Sequence, residues 1–211
     1  MHTLSIGDCI RFGWETFKQR PWILIGAFVL AMVISVVPGL FGPHPTIGPD
    51  GELIPAPPST FGTIISLVSI VVSMFVGLGL TNFSLKAHDN ISTVELGDLW
   101  NPAPFLSFVG AHILTVIAIA LGFLAFIIPG FIVSMGLAFV PYLVVDKNLG
   151  PIEAIKESWR VTKGHKMQLF LLFLALMGLN IIGVLAFLIG IFVTVPITML
   201  AFAHAYRTVT K

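Results

Sequence analysis

Hydrophobic positions dominate four long stretches of the chain that contain no Asp, Glu, Lys or Arg: 21–49, 53–85, 99–145 and 167–206. A transmembrane helix needs about 20 predominantly apolar residues to cross about 30 Å of hydrocarbon. Each stretch is long enough for at least one crossing, and the last two are too long for only one. The pattern therefore predicts an all-α integral membrane protein.

Proline and glycine divide the two longest stretches. Within 99–145, "IIPG" at 127–130 supplies a break, because proline removes a backbone donor and glycine tolerates a turn. Within 167–206, Gly183 and Gly190 are both candidates for the turn. The prediction is one membrane domain, 1–211, with six transmembrane helices as three hairpins: about 22–41, 61–85, 106–128, 131–146, 167–187 and 189–206.

The six-span arrangement places every basic residue on one side of the membrane. Short cytoplasmic segments collect Lys and Arg, whereas acidic residues count for little. The loop at 42–60 contains Asp50 and Glu52 but no basic residue, and "PDG" at 49–51 predicts the turn of a short hairpin. Both termini are therefore predicted to be cytoplasmic, with the 42–60 loop facing outward.

Composition supports the same class of protein. Hydrophobic residues make up 56% of the chain and charged residues 10%, and the mean hydropathy is +1.00. Soluble domains carry about 25% charged residues, so this chain cannot cover a soluble surface. The single cysteine, Cys9, cannot form an intrachain disulfide.

Two charged segments, 4–18 and 151–163, interrupt the apolar pattern with helical periodicity. Their apolar residues recur on one face: Ile6, Ile10, Trp14 and Phe17 in the first, and Ile152, Ile155, Trp159 and Thr162 in the second. Pro151 and Gly164 are typical of a helix start and stop. Amphipathic helices of this kind lie in the membrane interface with the apolar face down. We therefore expect interfacial helices before the first and third hairpins.

The two segments also align with each other. Three matching positions carry the same residue: Ile10, Trp14 and Lys18 align with Ile155, Trp159 and Lys163. A weaker copy, "VELGDLW" at 94–100, precedes the third span. Either the chain contains three repeated units, each an interfacial segment and a hairpin, or Trp and Lys recur because membrane interfaces favour them.

The stretch "IPGFIVSMGLAFVPYLVVDKNLGPIEAIKESWRVTKGHKMQLF" carries a family resemblance. It resembles an element of bacterial integral membrane proteins of unknown function, the YciC-like proteins among them. It is also similar to the membrane domain fused to some glycerophosphodiester phosphodiesterases. The matching residues are Pro129, Gly130, Asp146, Gly150, Glu153, Ala154, Ser158, Trp159, Lys163, Gly164 and His165. The resemblance implies six helices in a bacterial plasma membrane, and it implies no activity.

Candidate chemistry is sparse along the chain. No HExxH, CxxC, GxSxG or P-loop pattern occurs, so we expect neither an enzyme nor a metal or cofactor site. His112 and Asn180 are the candidate intramembrane polar site, because polar side chains within spans often mark function. The alternative for both is a hydrogen bond between neighbouring helices.

Basic residues flank the spans and form a candidate headgroup-binding rim: Arg11, Lys18, Arg20, Lys156, Arg160, Lys163 and Lys166. Such a rim attracts anionic lipid, or it merely sets topology. Two functions are therefore compatible with the sequence. One is a non-enzymatic scaffold, regulator or assembly partner, with a membrane-protein partner or a homo-oligomer. The other is a lipid- or amphiphile-binding or transport protein. No nucleic-acid partner is expected.

Overall fold

The computed structural model describes residues 4–42, 45–54, 59–186 and 190–210, and these are almost wholly helical. The predicted all-α architecture is confirmed. The α-helices are α1 Ile6–Gln19, α2 Pro21–Leu40, α3 Thr60–Asp89, α4 Phe105–Ala125, α5 Ile127–Gly136, α6 Val140–Lys147, α7 Pro151–Val161, α8 Lys166–Leu185 and α9 Ile191–Thr210. Two short 3₁₀ helices, Ile91–Thr93 and Leu96–Leu99, follow α3.

The predicted turn in the 42–60 loop is confirmed. Strands β1 (Thr46–Ile47) and β2 (Leu53–Ile54) pair in antiparallel fashion, with Ile47 opposite Leu53. Gly51 closes the hairpin with a φ of 78°, which a glycine adopts without steric cost.

Five helical segments among the described residues are long and apolar enough to cross a membrane, against the six predicted. They are Pro21–Leu40, Thr60–Asp89, Phe105–Ala125, Ile127–Lys147 and Lys166–Leu185. The sixth predicted span corresponds to α9, which is not among them. Tyr206 and Arg207 near its end lower its apolar character.

The fourth predicted span differs most from its sequence expectation. The turn after α4 lies at Phe126, so Pro129 falls in the first turn of α5, where no intrahelical donor is needed. Residues 137–139 then interrupt the helix between α5 and α6. At about 1.5 Å per residue, the 10 residues of α5 cover about 15 Å, half of the hydrocarbon layer.

The charged segments are separate helices. Arg20, with φ −143° and ψ 65°, is not helical and separates α1 from α2, which begins at Pro21. Gly164, with a φ of 88°, lies between α7 and α8. The Ser5 hydroxyl caps α1 by accepting a hydrogen bond from the Asp8 amide at 3.3 Å.

Helix α9 lies at the centre of the packed bundle, against α1, α2, α3 and α8. Its Leu200, Ala201 and Tyr206 are almost completely buried. Helices α8 and α9 meet through glycine, since a Cβ on Gly190 would lie 2.5 Å from the Gly183 carbonyl oxygen. The two candidate turn glycines therefore face each other, and the chain between them includes 187–189, which lie outside the described residues.

Candidate functional site at the basic end of the bundle

An ion-pair network joins the ends of three helices. Arg207 of α9 donates to both carboxylate oxygens of Asp89, at 3.1 and 2.6 Å, and to Asp146 of α6 at 2.8 Å. The Tyr206 hydroxyl donates to the same Asp146 oxygen at 2.8 Å. We call the end of the bundle where Asp89 of α3 meets Arg207 of α9 the basic end. The sequence did not reveal the network, because Asp89 and Arg207 are 118 positions apart.

Two histidines and a phenylalanine attach α1 to the same end. His88 Nε2 lies 3.2 Å from His204 Nδ1, and His88 Nδ1 lies 3.0 Å from Asp89 Oδ1. The Phe12 ring of α1 contacts both imidazoles: it stacks on His204 with ring centroids 4.4 Å apart, and it is tilted against His88 with centroids 4.6 Å apart. The amphipathic α1 therefore packs on protein at this end as well as facing outward.

Small residues on α1 make the closest approach to α9. A Cβ on Gly13 would lie 2.7 Å from the Ile197 carbonyl oxygen, so only glycine fits there without a shift. Cys9, one turn away, is 1% exposed, and burial together with the charge of Asp8 raises the pKa of its thiol to about 11. The buried face of α1 is Cys9, Gly13, Thr16 and Phe17. Trp14, which is on the predicted apolar face, is 47% exposed.

Helix α7 packs on the broken helix, by which we mean α5 and α6 with the interruption at residues 137–139 between them. Its Ser158 hydroxyl is buried and donates to the Gly136 carbonyl oxygen at 2.9 Å. Thr162 Oγ1 lies 3.2 Å from the same oxygen and 2.8 Å from the Ser158 carbonyl. A threonine hydroxyl has one proton, so it serves one of these acceptors at a time, and Ser158 is the principal donor to Gly136.

The face of α7 that packs on protein differs from the apolar stripe that the periodicity indicated. The side chains of Ala154, Ser158 and Thr162 are completely buried, whereas Ile152 is 62% exposed. The exposure of Trp159, at 43%, lies between these values. Its indole ring covers Gly136, where an added Cβ would lie 2.5 Å from the ring. Within the apolar stripe, Thr162 is therefore buried against protein, whereas Ile152 is exposed, and the interfacial orientation of this helix stays a prediction.

Two arginines of the predicted basic rim are paired with glutamates of their own helices. Arg11 donates a hydrogen bond to Glu15 at 2.8 Å, and Arg160 donates two hydrogen bonds to Glu157 at 2.7 and 2.6 Å. These bonds hold the pKa of the Glu15 and Glu157 carboxyls below their usual range and raise the pKa of both guanidiniums.

The remaining lysines of the rim divide into two kinds. Lys166 lies over the Trp159 ring, 3.2 Å from its centroid, and Lys18 lies 5.8 Å from the Trp14 centroid, so both make cation–π contacts. Lys156 and Lys163 are exposed, and neither takes part in an ion pair among the described residues.

Arg20 has a different environment. Its Nη1 lies 3.2, 2.9 and 3.1 Å from the carbonyl oxygens of Ile91, Ser92 and Val94. These contacts tie the α1–α2 junction to the segment that follows α3. Arg20 makes no ion pair within the described ranges.

Lys86 of α3, by contrast, is paired with Asp98. Burial disfavours the Asp98 carboxylate, but the Glu95 amide and the Lys86 ammonium outweigh it and lower the pKa of this carboxyl. The charge of Lys86 is therefore compensated within the chain.

The two candidate intramembrane polar residues are not brought together. Asn180 of α8 donates to its own helix at Leu176 and to the Thr198 hydroxyl of α9, each at 2.9 Å. This is the interhelical hydrogen bond that the sequence left as an alternative. His112 is on the exposed side of α4 and borders a small cavity of about 30 Å³ with Phe108 and Pro141.

Two larger cavities lie beside α2. The α2–α3 groove, of about 500 Å³, is lined only by apolar side chains, among them Leu30, Ile34, Val72, Phe75, Leu96 and Trp100. The Arg20 recess, of about 440 Å³, is lined by Gln19, Arg20, Pro21, Trp22, Ile23 and Leu96. Among the described residues, no group of three or more His, Cys, Asp or Glu side chains is arranged to hold a metal ion.

The fold and this end of the bundle thus define an all-helical protein with several helices able to cross a membrane. The chain belongs to a family described as a protein of unknown function (DUF975), which matches residues 56–211.

Two curated mycobacterial proteins are similar over nearly the whole chain. They are Uncharacterized protein Rv2560 of Mycobacterium tuberculosis (strain ATCC 25618 / H37Rv) and Uncharacterized protein Mb2590 of Mycobacterium bovis (strain ATCC BAA-935 / AF2122/97). Each is 24% identical over 225 residues, which cover 96% of this chain and 68% of the relative. No solved structure matches.

Proposed function

We propose that this chain is a six-span protein of the bacterial plasma membrane with both termini in the cytoplasm. Helix α9 is the sixth span, because its 20 residues cover about 30 Å at about 1.5 Å per residue. It runs from Phe192, beside Phe28 of α2, to Arg207 at the basic end. The basic residues near that end and the acidic 42–60 loop beyond the far end of α2 support this orientation.

Cysteine labelling of intact cells separates six spans from five. In a Cys9→Ser background, we would introduce Gly51→Cys and Lys211→Cys separately and add a membrane-impermeant maleimide. Six spans predict that the cysteine at 51 labels from outside and the cysteine at 211 labels only after permeabilisation. Labelling of the cysteine at 211 in intact cells would mean that α9 does not cross.

Within the membrane we propose a non-enzymatic role as a scaffold, regulator or assembly partner. The observation that supports it is the ion pairing of Arg207 with Asp89 and Asp146. General acid–base chemistry needs side chains within hydrogen-bond reach of a substrate, whereas these groups hold three helices together. The relation to the YciC-like proteins and to the phosphodiesterase membrane domain is part of the same proposal.

An assembly partner forms a complex of defined composition. Cross-linking in native membranes, followed by purification under denaturing conditions, should give one discrete adduct, either a homo-oligomer or a heteromer, in independent preparations. A tagged six-span protein of unrelated family, expressed at the same level, is the control. A chain that remains monomeric under these conditions would contradict the proposal.

The second candidate is a protein that binds a lipid or another amphiphile. The α2–α3 groove favours it, because an apolar cavity of about 500 Å³ lies among helices apolar enough for a membrane. Neither His112 nor Asn180 lines this groove, so the polar part of such a ligand needs another partner.

A further inference from the structure

Arg20 is a positioned cation whose charge no carboxylate compensates within the described ranges. A guanidinium has five N–H donors, and Nη1 supplies two of them. Those two serve the three carbonyl oxygens of Ile91, Ser92 and Val94. Among the described residues, Nε and Nη2 make no hydrogen bond, so three donors remain for a ligand. Their fork geometry suits a phosphate group.

The Arg20 recess and the α2–α3 groove meet at Leu96, which lines both. The recess also contains Gln19 and the indole of Trp22, which is 84% exposed. Exposed tryptophan is enriched at the level of lipid headgroups. The cavity on one side of Leu96 is therefore polar and basic, and the cavity on the other side is apolar.

The recess and the groove together extend along α2 over about the depth of one leaflet. Along α2, Ile34 at the far end of the groove lies about 21 Å from Arg20, at about 1.5 Å per residue. Half of a hydrocarbon layer of about 30 Å is about 15 Å thick, with the headgroup region beyond it. A ligand with one phosphate and one long acyl chain can therefore place its phosphate at Arg20 and its acyl chain in the groove at the same time.

We propose that an anionic phospholipid of the cytoplasmic leaflet binds here, with its phosphate at Arg20 and one acyl chain in the α2–α3 groove. The proposal rests on the six-span arrangement described above. Arg20 acts through its uncompensated charge, so a lipid of net negative charge binds better than a zwitterionic one with the same chains. Lys86 adds nothing to this preference, because Asp98 neutralises it.

Native mass spectrometry tests the site with two lipids of identical chains. The purified protein is exchanged into detergent containing equal amounts of dioleoyl phosphatidylglycerol and dioleoyl phosphatidylcholine. We expect about fivefold more bound phosphatidylglycerol, the factor typical of one basic residue near a membrane surface. Arg20→Gln should bind the two lipids equally, whereas Lys156→Gln/Arg160→Gln/Lys163→Gln should keep the parent ratio. Equal binding by the parent protein, or loss of the ratio only in the triple variant, would refute the Arg20 site.

A second pair of variants tests the groove without altering Arg20. Val72→Trp fills the groove and should remove the bound lipid. Leu67→Trp, at a position 58% exposed and outside the groove, should bind as the parent does. Equal lipid binding by these two variants would overturn the proposal, even where Arg20→Gln fails to fold. The labelling experiment is independent of this one, so a chain that labels as six-span but shows no lipid preference refutes the lipid site alone.

Discussion

The Ser158 hydroxyl of α7 donates a hydrogen bond to the Gly136 carbonyl oxygen at the end of α5, across 2.9 Å and 22 positions of sequence. In a continuous helix, the Val140 amide would bond this oxygen, but at the interruption it donates to Leu137. A backbone carbonyl without a partner is costly in an apolar environment. Helix α7 therefore completes the hydrogen bonding of the broken helix at Gly136.

Replacing Ser158 with alanine should destabilise the fold. The change leaves the Gly136 carbonyl dependent on Thr162, whose proton is shared with another acceptor. The expected loss is about 1–3 kcal/mol, the range for an unsatisfied buried acceptor. Thermal unfolding of the purified protein in detergent, followed by size-exclusion chromatography, measures it.

Ser134→Ala is the matched control. The Ser134 hydroxyl donates to the Gly130 carbonyl within its own helix, α5, where the backbone amide remains as a donor. It should change stability by less than Ser158→Ala does. Equal melting temperatures for the two variants would show that the Ser158–Gly136 bond does not stabilise the break.

Gly13→Ala should destabilise the packing of α1 on α9. The added Cβ would lie 2.7 Å from the Ile197 carbonyl oxygen, a backbone atom that cannot rotate away. Overpacking of this kind costs about 1–3 kcal/mol. Gly7→Ala in the same helix meets nothing within 4 Å, so helix propensity should make it neutral or stabilising by up to about 1 kcal/mol. If Gly13→Ala were as stable as Gly7→Ala, the close approach of the two helices would be wrong.

The Asn180–Thr198 hydrogen bond should be measurable as a coupling between α8 and α9. A double-mutant cycle of Asn180→Leu and Thr198→Val compares the two single variants with the double variant. Interhelical hydrogen bonds in membrane proteins give coupling energies of about 0.6 kcal/mol on average, up to about 1.7 kcal/mol. Additive effects on unfolding in mixed detergent would place the two side chains apart.

Cys9 should be inert in the folded protein. Burial raises the pKa of its thiol to about 11, so at pH 8 almost none of it is the reactive thiolate. A thiol reagent such as dithionitrobenzoate should therefore titrate no cysteine in mild detergent and one per chain after denaturation. Rapid modification of the native protein would show that α1 leaves α9 in solution.

The sequence by itself determined the class of protein and much of the order of its helices. Long stretches without charged residues favour helices that can cross a membrane, and proline and glycine mark where helices begin and end. Pro21, Pro151 and Gly164 lie at helix boundaries in the structure, as the pattern predicted. Local chemistry is enough for these features, because each depends on neighbours along the chain.

Only the tertiary structure decided which faces of the helices pack together and which polar groups meet. Ile152 is exposed while Ala154 and Ser158 are buried, and the apolar periodicity of α7 did not show which face packs on protein. In a membrane, lipid tails are as apolar as isoleucine, so burial inside protein brings a large apolar side chain no hydrophobic gain. Small residues that let backbones approach, and hydroxyls that reach a free carbonyl, select the packed face instead. The partners of Ser158, Arg20 and Arg207 are distant in sequence, and only folding brings them together.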